Sequence, residues 1–197
     1  MRIIAGHLRH RTLLSNPGLT TRPITDRVKE TLFELLGPTV VDLRVADLFA
    51  GTGTLGFEAL SRSAKSVVFI EKDRVAFELL QQNTAKLKVE DQVLCWQTDA
   101  LRSSYCPKGV SEFVPFDLIF FDPPYRMAPH FAPGESLYTA MQRLARDQVS
   151  SPEARVIFRI PEKLELSPPP EWSEDWHLEM SSMRILVWRK SKAVKPE

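Results

Sequence analysis

The spacing of hydrophobic residues changes several times along this 197-residue chain, and the changes divide it into helices and strands. An apolar stripe at helical spacing, which follows a capping residue and ends at Gly37, predicts a first helix over 25–37. From residue 44 onward, short continuous apolar runs alternate with stretches of helical periodicity. The runs predict strands at 44–50, 66–73, 92–100, 116–122, 154–160, 176–182 and 184–190, and the periodic stretches predict helices at 54–64, 74–89 and 135–148.

This alternation predicts an α/β fold, because strands that alternate with helices form a mostly parallel sheet covered by helices on both faces. We expect a seven-stranded Rossmann-like sheet. The last two strands have too short a link for a crossover, so they should form a C-terminal antiparallel hairpin. Residues 102–115 are predicted to be a loop. Residues 1–20 form a predicted β-hairpin extension that contacts RNA, 21–190 the main domain, and 191–197 a flexible tail.

Composition narrows the class of protein. A hydrophobic content of 43% and a charged content of 26% are typical of a globular chain. No apolar run approaches the roughly 18 to 20 residues that span a bilayer, and the first residues lack the apolar core of a secretory signal. Cys95 and Cys106 have no metal-ligand spacing, which favours free thiols and no bound metal. We therefore expect a cytoplasmic protein without a membrane partner.

The net charge of +1 conceals basic ends on an acidic body. Residues 1–29 carry six cationic side chains against one acid, and residues 184–197 carry five against one. Localised positive charge favours a polyanion-binding surface, and nonspecific solubilisation of the ends is the alternative. The arginines of the N-terminal part are interleaved with apolar residues, which favours the binding surface there. For the last residues the solubilising role is the better interpretation.

A glycine-rich turn between the first sheet strand and a helix predicts a nucleoside-binding site. Gly51, Gly53 and Gly56 form a G-x-G-x-x-G pattern, and Glu71 ends the next strand, where a carboxylate accepts hydrogen bonds from ribose hydroxyls. Dinucleotide enzymes share both features. Asp47, however, lies four residues before Gly51 and would repel a pyrophosphate, whereas it would attract the ammonium and sulfonium of S-adenosylmethionine. Asp99 ends the third strand and can accept from an adenine amino group; the alternative is a helix cap.

The stretch "DLIFFDPPYR" ends a buried strand in a rigid corner. Pro123 stops the strand, and Asp122 is held extended because it precedes a proline. This corner lies just past the carboxyl end of a predicted parallel strand, which is where ligands bind in open α/β sheets. The Asp122 carboxylate and the Pro123 carbonyl can accept the hydrogens of an exocyclic amine, while Tyr125 can stack on an unpaired or flipped base. The alternative is that Asp122 caps a turn and Tyr125 covers an edge of the core.

Together, "DLFAGTGTLGFEALSR", "FIEKD", "DA" at 99–100 and "DPPY" resemble class I S-adenosylmethionine-dependent methyltransferases of exocyclic amines. The stretches "RIIAGHLRHRTLL" and "TRPITDRVKETLFELL" closely resemble the N-terminal signature of bacterial 16S ribosomal RNA guanine-N2 methyltransferases. The resemblance runs from Arg2 to about Arg126, and more weakly to Arg189.

The resemblance implies a monomeric enzyme that uses S-adenosylmethionine, forms S-adenosylhomocysteine and acts on 16S ribosomal RNA in the small subunit or an assembly intermediate. The implied cofactor-binding residues are Asp47, Phe49, Ala50, Gly51, Gly53, Glu71, Lys72, Asp99 and Ala100. The implied catalytic residues are Asp122, Pro123, Pro124 and Tyr125. The implied substrate-binding residues are Arg22, Thr25 and Arg27, with Asp26 pairing one of the two arginines; the alternative is a helix N-cap with a surface salt bridge.

Three other functions compete with this hypothesis. An adenine-N6 methyltransferase acting on DNA or RNA shares the Asp-Pro-Pro-Tyr pattern and differs only in the N-terminal signature. An NAD-dependent oxidoreductase explains the glycines, but it tolerates Asp47 poorly. A non-catalytic RNA-binding module does not explain four acids around one crevice, since acids weaken nonspecific affinity for a polyanion.

Overall fold

The structure is a computed structural model that describes residues 1–15, 24–180 and 182–192. Its helices are α1 (Asp26–Leu36), α2 (Thr54–Ser61), α3 (Arg74–Leu87) and α4 (Ser136–Leu144). Its strands are β1 (Arg44–Leu48), β2 (Ser66–Glu71), β3 (Val93–Gln97), β4 (Phe116–Phe121), β5 (Ser150–Pro161), β6 (Trp172–Met180) and β7 (Met183–Lys190). Among the described helices, none is long and apolar enough to cross a membrane.

The seven strands form one sheet in the order β3-β2-β1-β4-β5-β7-β6. Strands β1 to β5 are mutually parallel, while β7 lies antiparallel between β5 and β6. The predicted seven-stranded, mostly parallel sheet with an antiparallel C-terminal hairpin is therefore confirmed. Since β1 to β5 run in one direction, their carboxyl ends meet at one edge of the sheet, which we call the carboxyl edge.

Helices cover both faces of the sheet, as the alternation predicted. Helices α1, α2 and α3 bury their apolar stripes in one core cluster with side chains such as Val45, Phe69 and Phe120. The opposite face packs in a second cluster against α4, with Ile119 and Phe158 among its sheet residues. Neighbouring residues of a strand point to opposite faces, so the continuous apolar runs seen in the sequence supply both clusters.

The second face has loop in place of a helix between β3 and β4. The connection contains a single short turn of 3₁₀ helix, Ser111–Phe113, and is otherwise irregular, as predicted for 102–115. It buries the Tyr105 ring completely and the Phe113 ring almost completely in the second cluster. The Tyr105 hydroxyl donates to the Ala100 carbonyl at 2.6 Å, so the loop is tied to the carboxyl edge.

The N-terminal segment folds back on itself, but the predicted hairpin reduces to an isolated antiparallel bridge between Arg2 and Thr12. The cause is competition for backbone donors: the amides of Ile4 and Ala5 donate to the Glu58 carboxylate of α2 at 2.8 and 3.1 Å, so they cannot pair across a hairpin ladder. Gly6 has φ 81° and lies so close to α2 that a Cβ would meet the Ser61 carbonyl oxygen at 1.7 Å.

A buried ionic network anchors this segment on α1 and α2. Lys29 and Glu58 are 1% and 0% exposed, with 3.8 Å between Nζ and Oε2, and the Lys29 ammonium also donates to the Arg2 carbonyl. Arg62 donates to the other oxygen of Glu58 at 3.0 Å. Burial lowers the pKa of Lys29, while the charges of Glu58 and Asp26 oppose the change. The Glu58 carboxylate is therefore the shared partner that joins Lys29, Arg62 and the N-terminal segment.

We expect Glu58→Ala to lower the free energy of unfolding by about 3 to 5 kcal/mol, because it removes one partner of a buried ion pair. The substitution removes the buried anion beside the Lys29 ammonium and leaves the amides of Ile4 and Ala5 without their acceptor. Urea unfolding followed by circular dichroism measures the change.

Glu78→Ala is the matched control. Glu78 pairs with Arg74 at the i,i+4 spacing that also separates Glu58 and Arg62, but its side chain is 53% exposed. Exposed pairs of this kind contribute about 0.3 to 0.5 kcal/mol. Equal losses in the two variants would contradict the anchoring role of Glu58.

Candidate active site

Four carboxylates lie on neighbouring strands at the carboxyl edge. Glu71 is the last residue of β2, Asp47 precedes the last residue of β1, Asp122 directly follows β4, and Asp99 lies two residues beyond β3. The strand order β3-β2-β1-β4 makes these positions consecutive along the edge. The predicted grouping of the four acids at one edge is therefore what the topology produces.

The glycine-rich turn passes over this edge between β1 and α2. Phe49, Gly51 and Gly53 all have positive φ, at 61°, 56° and 86°. At Gly53 a Cβ would lie 2.5 Å from Phe57, and at Gly56 it would lie 2.2 Å from Phe69, so these two glycines permit close packing. At Gly51 a Cβ would meet no described atom within 4 Å, which leaves room for a ligand against the main chain.

Asp47 lies beneath the turn and is 2% exposed. Its Oδ2 accepts a hydrogen bond from the Gly56 amide at 2.8 Å, in the first turn of α2. Burial raises the pKa of Asp47 well above its usual value; the Gly56 hydrogen bond opposes this, and the negative charges of Asp122 and Glu71 add to it. A buried carboxylate beside like charges is a position where a cationic ligand would be stabilised.

Backbone amides fix the Glu71 carboxylate. Its Oε2 accepts from the Gly51 amide and its Oε1 from the Asp73 amide, both at 2.7 Å. Each carboxylate oxygen has two acceptor positions, so Glu71 can also receive a pair of hydroxyl donors. Glu71 thereby links the glycine-rich turn to the start of α3.

Asp99 and Lys72 lie together at the far end of the row. The Asp99 Oδ1 accepts from the Leu101 amide at 2.9 Å, which forms a local turn and agrees with the capping alternative. Its Oδ2 lies 3.6 Å from the Lys72 ammonium, which is 62% exposed. Ala100 is buried beneath this turn. The second oxygen of Asp99 therefore faces a mobile charge that a ligand can displace.

The Asp-Pro-Pro-Tyr corner directly follows β4. Pro123 is buried, Pro124 is extended at φ −51° and ψ 134°, and Tyr125 begins a 3₁₀ turn, Tyr125–His130. Asp122 receives two hydrogen bonds from Arg159 of β5: Nε to Oδ1 and Nη2 to Oδ2, both 2.8 Å. The guanidinium carbon also lies 5.3 Å from the centre of the Tyr125 ring.

Sequence reasoning assigned no role to Arg159. Its signal is a single charge inside the apolar run "VIFRI", between Phe158 and Ile160, which are both fully buried. A charged side chain at such a position is rare unless it is paired. Burial would lower the pKa of Arg159, but the Asp122 carboxylate raises it above its usual value.

The predicted substrate-binding residues have different outcomes. Arg22 lies outside the described residues. Thr25 is the N-cap of α1, and its hydroxyl accepts from the Val28 amide at 3.3 Å, which agrees with the capping alternative. Arg27 is exposed. Asp26 was expected to pair with Arg22 or Arg27, and Arg22 lies outside the described residues. Within them, Asp26 bonds Arg2 at 2.8 Å and approaches Lys29.

The first turn of α1 lies toward the carboxyl edge. At the other end of α1, Leu36 lines a cavity of about 340 Å³ with Asp117 and Ser151, which are near the starts of β4 and β5. Arg27 lies about 14 Å along the helix from Leu36. The first turn is linked to the carboxyl edge through the N-terminal segment, since Arg2 bonds Asp26 and Met1 contacts the Thr54 hydroxyl at the start of α2. On the same side, Leu14 accepts from Asn83, which also donates to Thr52 of the glycine-rich turn.

The chain was compared with protein families, curated proteins and solved structures. The model of a family described as conserved hypothetical protein 95 matches residues 1–186. The chain belongs to this family. Ribosomal RNA small subunit methyltransferase D of Haemophilus influenzae is 37% identical over 177 residues, covering 88% of the chain and 85% of that protein. The protein of the same name from Escherichia coli K12 is 44% identical over 128 residues, 64% of the chain, and the match spans only 61% of that relative's length.

Two solved structures of similar length have the same overall fold as this chain. A chain from Escherichia coli, provisionally named a methyltransferase, is 34% identical with a TM-score of 0.79, and the match covers 98% of both chains. An RNA methyltransferase from Salinibacter ruber, solved with S-adenosyl-L-homocysteine, has a TM-score of 0.61 over 89% of this chain and 97% of its own. At 18% identity the latter likeness concerns the fold alone. The predicted family and methyltransferase fold are confirmed.

We expect Asp47→Asn to stabilise the protein at neutral pH and to weaken its binding of S-adenosylmethionine about tenfold, or about 1.4 kcal/mol. The amide oxygen can still accept from Gly56, but no charge is buried. Since the pKa of Asp47 is higher in the folded state, ionisation removes stability as pH rises from about 3.9 through the folded value. Thermal unfolding from pH 4 to 8 and calorimetric titration measure the two effects.

Asp117→Asn is a control in which the expected change in stability has the opposite sign. Burial would raise the pKa of Asp117, but its hydrogen bonds from Arg44 lower it, so the ionised form contributes stability above about pH 3.9 that is lost as pH falls through the folded value. This variant should lose stability at neutral pH. If Asp47→Asn gained no more stability at pH 7 than at pH 4, the proposed burial of charge would be wrong.

Proposed function

We propose that this protein transfers a methyl group from S-adenosylmethionine to the exocyclic N2 amine of a guanine in 16S ribosomal RNA. The observation that carries the proposal is the row of four carboxylates at the carboxyl edge, which ends in an Asp122 side chain held rigidly beside Tyr125. By its family the protein is an S-adenosylmethionine-dependent methyltransferase of ribosomal RNA. The target atom and the residue roles given below are our proposal.

The residues at the glycine-rich turn fit the proposed cofactor. S-Adenosylmethionine supplies a methyl group activated on a sulfonium, and it carries an ammonium but no phosphate. The space over Gly51 and the fixed carboxylate of Glu71 suit a ribose, while the negative charge of Asp47 suits the cationic part of the molecule. Phe49, Ala50, Gly53, Lys72, Asp99 and Ala100 complete the proposed cofactor site.

The corner formed by Asp122, Pro123, Pro124 and Tyr125 acts on the base. The lone pair of an exocyclic amine is delocalised into the ring, which makes the nitrogen a poor nucleophile. The Asp122 carboxylate and the Pro123 carbonyl accept the amine hydrogens as the nitrogen becomes pyramidal, and this localises the lone pair. Tyr125 stacks on the base, which contributes about 1 to 3 kcal/mol. Orientation against the methyl donor supplies much of the remaining rate.

Basic residues near the start of α1 bind the RNA backbone in this proposal. Arg27 is exposed on the first turn, Thr25 caps the same helix, and Arg22 precedes it in the sequence. The N-terminal extension, with exposed Arg2 and Arg11, extends this basic surface. We place the protein in the cytoplasm as a monomer that acts on the small ribosomal subunit or an assembly intermediate.

We expect Asp122→Ala to reduce methyl transfer at least a thousandfold, because removal of one preorganised acceptor costs on the order of 10²–10³ and Arg159 also loses its carboxylate partner. Unmodified small subunits and labelled S-adenosylmethionine are the substrates, and nucleoside analysis of the digested RNA identifies the product. N2-methylguanosine is expected; N6-methyladenosine would support the adenine enzyme instead.

Asp175→Ala is the matched control, since Asp175 bonds Arg155 at 3.0 Å, four residues before Arg159 on the same strand, beside the cavity near the starts of β4 and β5. This variant should keep transfer within about threefold of the unaltered protein, because Asp175 pairs with Arg155 and Arg189, and neither arginine is assigned to the site. Undiminished transfer by a folded Asp122→Ala variant would remove the catalytic role of Asp122.

We expect Arg27→Ala to weaken RNA binding and to lower the dependence of log K on log salt by about 0.7 to 0.9, the contribution of one phosphate contact. Filter binding at several salt concentrations measures both quantities. Arg146→Ala is the control, because Arg146 is exposed but lies just before β5, at the opposite edge of the sheet. Equal slopes for the Arg27 and Arg146 variants would place the RNA elsewhere.

A further inference from the structure

The Arg159 side chain contacts both side chains that we assign to the target base. Its Nε and Nη2 each lie 2.8 Å from one oxygen of Asp122, and its guanidinium carbon lies 5.3 Å from the Tyr125 ring centre. The Arg159 and Asp122 side chains are 10% and 16% exposed. A two-pronged bond of this kind fixes the plane of a carboxylate, whereas a single hydrogen bond leaves it free to rotate.

The backbone of Arg159 is itself held in the middle of the sheet. It lies on β5, opposite Ile185 of β7, and its neighbours Phe158 and Ile160 are fully buried. The corner after β4 is a turn, whereas Arg159 belongs to a strand that pairs with β4 as far as Phe158 and with β7 as far as Pro161. Arg159 therefore transmits the rigidity of the sheet to a loop that must hold a base within a fraction of an ångström.

The charge of Arg159 is also placed where the site needs a cation. Asp122 interacts with the buried carboxylate of Asp47, which in turn interacts with Glu71. In this part of the edge, Arg159 is the cation that is hydrogen-bonded to one of these acids in the described residues. Without it, the Asp122 carboxylate would be free to turn away from Asp47.

We propose that Arg159 is a positioning residue for methyl transfer, which aligns the Asp122 carboxylate and the Tyr125 ring on the target base and stays in place during the reaction. This inference rests on the proposed function. Arg159 need not leave for the base to bind, because a carboxylate has about four acceptor positions and the two-pronged bond uses two of them. The competing possibility is a latch, in which Arg159 blocks Asp122 until substrate displaces it.

The test compares Arg159→Met, which keeps the length and apolar stem of the side chain, with Arg159→Lys, which keeps the charge but not the fork. Steady-state kinetics use unmodified small subunits. We expect Arg159→Met to lower kcat about 30- to 100-fold, since a misplacement of about 1 Å can lower a rate 10²-fold. The KM and Kd for S-adenosylmethionine should stay within twofold. The kcat of Arg159→Lys should be about three- to tenfold higher than that of Arg159→Met.

Arg155→Met is the matched control, because Arg155 lies on the same strand and bonds Asp175. It should leave kcat within twofold. A misfolded Arg159→Met variant would lose cofactor binding and thermal stability, so those two measurements accompany the kinetics. Should Arg159→Met prove unstable, the split between kcat and KM in Arg159→Lys decides the question alone: a lower kcat at constant KM supports positioning, and an unchanged kcat overturns it.

A double-variant cycle separates this inference from the proposed function. If Arg159 acts through Asp122, Arg159→Met should cost less than threefold in single-turnover transfer when Asp122 is already Asn. An Arg159→Met variant as fast as or faster than the unaltered protein would overturn the positioning role, and a faster one would support the latch. If the unaltered protein forms no N2-methylguanosine, the proposed function itself fails. If transfer persists in Asp122→Ala, the catalytic role of Asp122 fails; if that variant is inactive while Arg159→Met is unaffected, only this inference fails.

Discussion

The site depends on one electrostatic constraint: parallel strands bring several carboxylates together at one edge, and like charges at close range must be compensated. Different groups compensate each of them. Backbone amides bond both oxygens of Glu71 and one oxygen of Asp47, Lys72 approaches Asp99, and Arg159 binds Asp122. Because the sheet fixes the strand ends, the negative charge is present before any ligand arrives, and a cationic cofactor would relieve the repulsion instead of creating it.

The glycine-rich turn leaves space for a ligand and also allows α2 to pack closely against the sheet. Gly53 leaves room for the Phe57 ring of α2, and Gly56 lets the helix pack against Phe69 of β2, so that the Gly56 amide can reach Asp47. Side chains at these two positions would move α2 away from the edge and remove the hydrogen bond of the most buried acid. The same helix holds the N-terminal segment through Glu58. Helix α2 therefore connects the cofactor side of the site with the basic N-terminal surface.

Much of this arrangement could be predicted from the sequence because it depends on strand order and local turn chemistry. The alternation of strands and helices determined the sheet, and the acids after successive strands predicted their grouping. The short extent of the N-terminal pairing was not predicted, because Glu58, more than fifty residues away, competes for the amides of Ile4 and Ala5. Arg159 was missed for a similar reason, since its partner lies on a neighbouring strand 37 residues earlier in the chain. Side-chain pairs between elements leave no periodic signal in the sequence.

The central claim is that the acid-lined crevice under the glycine-rich turn receives the methyl donor and presents its methyl group to Asp122. A crystal structure of the protein with bound S-adenosylhomocysteine tests this most directly. We predict ribose hydroxyls on the Glu71 carboxylate, the adenine amino group near Asp99, and the sulfur directed toward the corner held by Arg159. A nucleoside bound at the opposite edge of the sheet, or a crevice that stays empty at saturating ligand, would contradict the account.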